Sequence, residues 1–172
     1  MKFNKIILIV FLVIFNFSHG FAQEEKYIGL FIYNFTKYFD WPEESKTGDF
    51  IIDIIGHKTV YEKLKELTES KKVGSQNIVV RNFSDAKNLD GNCQILFVGY
   101  WNSRFLPEVL EKSKGKHMLI VTEKEGLIKE GSAINFVIRD NTIKFEFCKS
   151  NTTKYGIKID PRITQLAVTV YE

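Results

Sequence analysis

Hydrophobic positions follow three successive rhythms along this chain. Between residues 26 and 40, Leu30, Phe31, Phe35, Tyr38 and Phe39 recur at helical spacing, and Ile28 and Ile32 widen the stripe. That spacing predicts a helix over Lys26 to Asp40, apolar on most of its sides. Trp41-Pro42 should end it, because the residue before a proline is driven out of the α region. From residue 49 the rhythm becomes short, unbroken apolar runs: Asp49 to Gly56, Gln76 to Phe83, Cys93 to Val98 and His117 to Thr122. Thr59 and Glu62 have capping-box spacing ahead of Val60, Leu64 and Leu67, and Leu106, Val109 and Leu110 mark a further helix over Ser103 to Ser113. Continuous strands alternating with helices predict a parallel sheet covered on both faces.

The third rhythm is strict alternation. Ser132 to Arg139 and Thr142 to Cys148 alternate around Asp140-Asn141, a two-residue hairpin turn. With that turn Ile138 faces Ile143, Phe136 faces Phe145 and Ile134 faces Phe147, all on the side expected to be buried. Asn135, Lys144, Glu146 and Cys148 fall on the other side. Asp160-Pro161 then reads as an N-cap and first helical residue, and Ile163, Leu166, Ala167 and Val170 predict a closing amphipathic helix. The expected fold class is α/β: a mostly parallel sheet with flanking helices in Rossmann-like layers, plus a C-terminal antiparallel hairpin and closing helix. No repeat, low-complexity tract or linker interrupts it, so residues 23–172 read as one domain.

Residues 1–22 read differently. Lys2 and Lys5 precede an apolar run from Ile6 to Phe15, and Gly20 and Ala22 stand at −3 and −1 of a cut before Gln23. This is the pattern of a secretory signal peptide. The run rises only about 15 Å as a helix, half of a bilayer core. The formal charge of the whole chain is +3 and the leader carries two lysines and no acid, so the mature chain is close to neutral. Nucleic-acid binding, which needs a basic patch, has no support. Cys93 and Cys148 are an even pair in a chain bound for an oxidising compartment, so they are disulfide candidates. Equally, each reads as a small buried hydrophobe.

Catalytic patterns do not emerge. His57 and His117 lie far apart in sequence, outside any metal-ligand spacing. Neither cysteine belongs to a nucleophile signature, and glycine-rich phosphate loops are missing. No catalytic, metal or cofactor residue is therefore expected, and the chain reads as a binding or regulatory domain. Two surfaces compete for the binding role. The first helix offers Ile28, Ile32, Phe35, Phe39 and Trp41 as a partner or dimer face, or else as core. The ends of the parallel strands offer Gly56, His57, Tyr100, Trp101 and Glu123 as a small-molecule crevice, or else Tyr100 and Trp101 pack under the next helix.

Five segments, taken together and in order, carry a resemblance. They are YIGLFIYNFTKYFDWP from Tyr27, FIIDIIG from Phe50, CQILFVG from Cys93, GLIKEGSAINFVIRDNTIKFEF from Gly126 and YGIKIDPRITQLA from Tyr155. At these spacings, over Lys26 to Ala167, the chain resembles the YfiR family. The resemblance implies an exported, periplasmic α/β domain without catalytic activity. It implies a repressor that binds the periplasmic sensory domain of a membrane-bound diguanylate cyclase and is sequestered by an outer-membrane lipoprotein. It assigns Trp41, Pro42, Gly131, Asn135, Glu146 and Gly156 to family-motif positions. Cys148 stands where many members have Asn, Ser132 replaces a second glycine, Pro161 replaces a common serine, and no cysteine upstream of Cys93 offers it a partner.

Overall fold

Apolar runs of four to eight residues that cannot be solvated on either face must be buried between layers, and the chain does this with one eight-stranded sheet. A computed structural model describes residue 25 and residues 27–172; the leader over 1–22 and the cut before Gln23 lie outside the described residues. In chain order the elements are α1 (27–35), β1 (Phe39–Asp40), β2 (Phe50–Ile55), α2 (Lys58–Thr68), β3 (Lys72–Val73), β4 (Gln76–Phe83) and β5 (Ile95–Val98). They continue with α3 (Leu106–Lys112), β6 (Leu119–Thr122), α4 (Leu127–Glu130), β7 (Ile134–Arg139), β8 (Thr142–Cys148), α5 (Lys149–Thr153), β9 (Lys158–Ile159), α6 (Arg162–Leu166) and β10 (Thr169–Tyr171).

The sheet order is β10-β8-β7-β6-β5-β2-β4-β3. The five strands β4, β2, β5, β6 and β7 are mutually parallel; β3 and β8 run antiparallel to their neighbours β4 and β7. From β2 the chain moves outward to β4, then crosses back to β5 on the other side of β2. Right-handed crossovers on either side of that reversal send their helices to opposite faces. Thus α2 lies with α1 on one face, where Gly29 approaches Leu64. On the other, α3 reaches α4 through Leu110 beside Gly131, and α5 is tied to α4 by Asn151 donating to the Ile128 carbonyl.

The hairpin register is the one that alternation and the turn pair imply. Ile134 pairs with Phe147, Phe136 with Phe145 and Ile138 with Ile143. Asp140 and Asn141 take φ of 50° and 58°, as a primed two-residue turn demands. Burial, however, does not divide by face as expected: at the base of the hairpin Asn135, Val137, Glu146 and Cys148 are also buried, whereas Ile138 at the tip is exposed. The helices α4 and α5 cover the second face and β10 closes the edge of β8, so both sides of the base are interior.

Several expectations are corrected. The first helix stops at residue 35; after a turn, Phe39–Asp40 forms β1, antiparallel to β9, and Trp41 stands beyond the helix altogether. The α2 cap is His57, whose Nδ1 accepts from the Val60 N–H at 3.5 Å, in place of the Thr59 box. The closing helix is only α6. Ala167 turns extended and Thr169–Tyr171 adds a strand parallel to β8, so Val170 belongs to a strand.

The disulfide is also corrected. Cys93 and Cys148 are free and buried. Cys93 precedes β5 and Cys148 ends β8, so β6 and β7 lie between them. Three strand spacings amount to roughly 14 Å, twice the Cα separation a disulfide tolerates.

Candidate functional site

The reversal between β4 and β5 leaves a crevice above the ends of β2 and β5, where open parallel sheets place ligands. Two turns build it. After β2, Gly56 takes φ +68°, and a Cβ there would collide with the Asn102 side chain at 2.1 Å. Asn102 fills that space and donates from Nδ2 to the Ser84 carbonyl at 2.8 Å. After β5, Gly99 leads into a 3-10 helix over Tyr100–Phe105. That tight turn throws Tyr100 and Trp101 outward, so neither ring packs under α3. Trp101 is 82% exposed, and the two rings meet at 79° with centroids 5.0 Å apart.

His57, Tyr100, Trp101 and Glu123 line one open cavity of about 470 Å³. Four of the five residues named from the strand ends are thus brought together; Gly56, though exposed, lies outside the lining, with its open side against Asn102. The cavity has a second wall that the sequence reading did not anticipate. It consists of Ile138, Arg139 and Ile143 at the hairpin tip, with Ile28 and Glu25 from the first helix and Glu125 from the loop after β6. An antiparallel hairpin longer than its parallel neighbours overhangs them, and the lengths of the two alternating runs were the available signal.

Hydrogen bonds fix the polar side. The Tyr100 N–H donates to Glu123 Oε1. His57 Nε2 lies 3.7 Å from the same oxygen, and because its Nδ1 accepts at the α2 cap, its proton is assigned to Nε2. Burial raises the Glu123 carboxyl above its usual range, His57 opposes that, and the nearby Glu25 adds to it. Arg139 is already matched, 3.6 Å from Glu125 and 3.9 Å from Glu146. The crevice is therefore an aromatic corner with an apolar back and an excess of carboxylates. Among the described residues, no group of three or more His, Cys, Asp or Glu is placed to hold a metal ion.

The face proposed on the first helix is corrected. Ile28, Ile32, Phe35, Phe39 and Trp41 are all buried. Phe35 packs on Phe136 and Phe145 with centroids 6.0 and 5.4 Å away, and Trp41 meets Phe50 edge-on at 4.9 Å. The widest apolar stripe faces the sheet because that buries the most area. What α1 leaves outside is Tyr27 and Leu30, both exposed.

The motif positions fall mainly at the opposite end of the strands. Trp41 Nε1 donates to the His117 carbonyl at 2.9 Å, and His117 Nδ1 lies 2.7 Å from the Tyr155 carbonyl. Gly156, at φ +73°, passes so close that a Cβ would stand 3.2 Å from that imidazole. Pro42 opens the 3-10 turn over Glu43–Ser45, and Gly131 ends α4. Asn135 and Glu146 sit opposite each other on β7 and β8. These residues join the layers together.

Residues 26–168 match the family model described as YfiR/HmsC-like. The chain belongs to the YfiR/HmsC-like family. Membership supports, in general terms, a non-catalytic regulator of diguanylate cyclase signalling. No curated protein matches the chain. Among the described residues no helix is long and apolar enough to cross a membrane.

Proposed function

We propose that this YfiR/HmsC-like chain is exported to the periplasm and there represses a membrane-bound diguanylate cyclase by binding its periplasmic sensory domain. The observation that carries the reading is the family match, which spans 26–168 and so takes in nearly every element of the sheet. An outer-membrane lipoprotein would release the cyclase by capturing the regulator. Because the core-facing side of α1 is committed to the sheet, contact with the cyclase or with a second copy falls to exposed apolar residues such as Tyr27, Leu30 and Ile138. Aromatic and aliphatic anchors of this kind supply most of an interface's energy.

Deleting the gene should raise cellular cyclic di-GMP, and the rise should vanish when the partner cyclase is also deleted. A photo-crosslinker at Leu30 or Ile138 should capture that cyclase. Unchanged cyclic di-GMP in the single deletion would sink the repressor role. Sedimentation of a Leu30→Asp variant tests self-association, which should weaken if a second copy uses this surface.

A second reading is favoured by one specific observation. An indole 82% exposed at the strand-end crevice is unusual for a side chain of that size. It supports a regulator that also senses a small molecule there.

A further inference from the structure

Four features of the strand-end crevice bear on what it could hold. The first is the corner itself. Tyr100 and Trp101 meet nearly perpendicular, at 79°. Two parallel rings would make a slot for a flat ligand; two perpendicular rings make two walls of a box, which suits a compact, rounded head group presented to both π-faces.

The second feature is charge. Glu25, Glu123 and Glu125 all line the cavity. Arg139, the guanidinium among the described lining residues, is engaged by Glu125 and Glu146, and His57 Nε2 lies 3.7 Å from Glu123. Among the described residues that line the cavity, no cationic group is left over for an anionic ligand, whereas the Glu123 and Glu25 carboxylates repel each other. A bound cation would relieve that repulsion.

The third feature is the apolar back wall of Ile28, Phe136, Ile138 and Ile143. It would desolvate alkyl groups and penalise a bare, strongly hydrated metal ion. The fourth is the rigid mounting of the corner: Tyr100 is tied through its N–H to Glu123, and Asn102, one residue past Trp101, is tied to Ser84.

We propose that the crevice binds a small organic cation, an alkylammonium or quaternary ammonium head seated in the Tyr100–Trp101 corner with its charge towards Glu123, Glu125 and Glu25. The proposal rests on the second reading above, that the crevice takes a small molecule, and adds the chemical class. Attraction of a cation to an indole face and to carboxylates at a desolvated site is the physics of aromatic cages.

The test is titration of the protein at constant ionic strength with three probes. These are choline, 3,3-dimethyl-1-butanol, which has the same shape without charge, and benzoate, a flat anion. Binding is followed by calorimetry and by tryptophan fluorescence. Trp41 is buried at the far end of the strands, so Trp101 is the reporter. Choline should bind saturably, with the neutral isostere at least tenfold weaker and benzoate silent. Trp101→Ala should weaken choline at least tenfold and Glu125→Gln severalfold, with unchanged urea midpoints because both side chains are exposed. Butanol or benzoate binding as tightly as choline, and lost in Trp101→Ala, would overturn the cation assignment while leaving a small-molecule site. Choline binding that ignores Trp101→Ala would overturn the location. If millimolar choline gives neither heat nor quenching, the cation proposal fails; if a metabolite extract also leaves Trp101 unmoved, the sensor reading fails with it.

Discussion

The sheet face beneath α1 is filled by rings: Phe35 meets Phe136 and Phe145, Phe97 meets Phe136, and Phe31 completes the cluster from α1. The face beneath α3, α4 and α5 is formed by the alternate residues of the same strands, yet it buries Asp53, Thr122, Asn135 and Glu146. On the first face volume and shape decide stability. On the second, each polar group needs a named partner. Asp53 is fully buried and bound bidentately by Arg81 at 2.7 and 2.8 Å; Arg81 also grips Asp90 at 2.9 Å through two nitrogens. Burial pushes the Asp53 carboxyl above its usual range while Arg81 pulls it down, and the two carboxylates hold Arg81 firmly charged. The Cys93 thiol, pushed well up by burial, lies against Asp53. Thr122 Oγ1 donates to Asn135 Oδ1 at 2.6 Å, while Asn135 Nδ2 has no partner among the described residues. Leaving such a group unpaired costs about 1–3 kcal/mol. An apolar face tolerates imperfect fit gradually, whereas a polar face fails one partner at a time.

The sharpest break of the contrast is to put a charge on the apolar face. Ile32 is 0% exposed within the hydrophobic core, so Ile32→Asp buries a carboxylate among apolar side chains, and the protein should lose its fold by circular dichroism. A folded Ile32→Asp protein would show that α1 is not core. Removing volume instead is milder: Phe145→Ala should cost about 3–5 kcal/mol in urea unfolding. On the polar face, Arg81→Ala strands Asp53 and should cost about 2–3 kcal/mol, below the range for a wholly buried pair because the guanidinium is partly solvated. In the double variant Asp53→Asn with Arg81→Ala, much of that loss should return, since no buried charge remains. Costs that simply add would mean the pair is not coupled.

The smallest effect concerns acid. Asp90 sits at about 2, below its ordinary value, because it accepts hydrogen bonds from Arg81. A carboxylate depressed on folding stabilises above its unfolded value and loses that contribution as pH falls through its folded one. Asp90→Asn should therefore lower stability slightly at neutral pH, and its stability curve should converge with the parent's between about pH 4 and pH 2. Parallel curves down to pH 2 would remove Asp90 from the network. The effect is small because the side chain is well solvated.

Much of this was legible from particular residues. Asp140-Asn141 between two alternating runs determined the hairpin register, since a period of two and a two-residue turn leave one pairing. The closing segment was not legible, because Ile163, Leu166, Ala167 and Val170 satisfy a helical spacing while the free edge of β8 offers a strand, and sheet pairing won. The first helix was overextended for the same reason: Phe39 completes its stripe but pairs with Ile159. In the crevice, the strand-end rule reached His57, Tyr100, Trp101 and Glu123. Arg139 and Ile138 were missed because only the overhang of the hairpin brings them there.

By itself the sequence determined local and periodic features: the apolar strands, the hairpin and the family. Those follow from residues a few positions apart, whose geometry the backbone restricts directly. Tertiary structure alone decided which side of α1 is core, that Cys93 and Cys148 stand three strands apart, that Arg81 meets Asp53 across 28 residues, and that two aromatic rings stay in solvent. Each of these depends on strand order and on competition for buried area, which are properties of the assembled layers rather than of any segment.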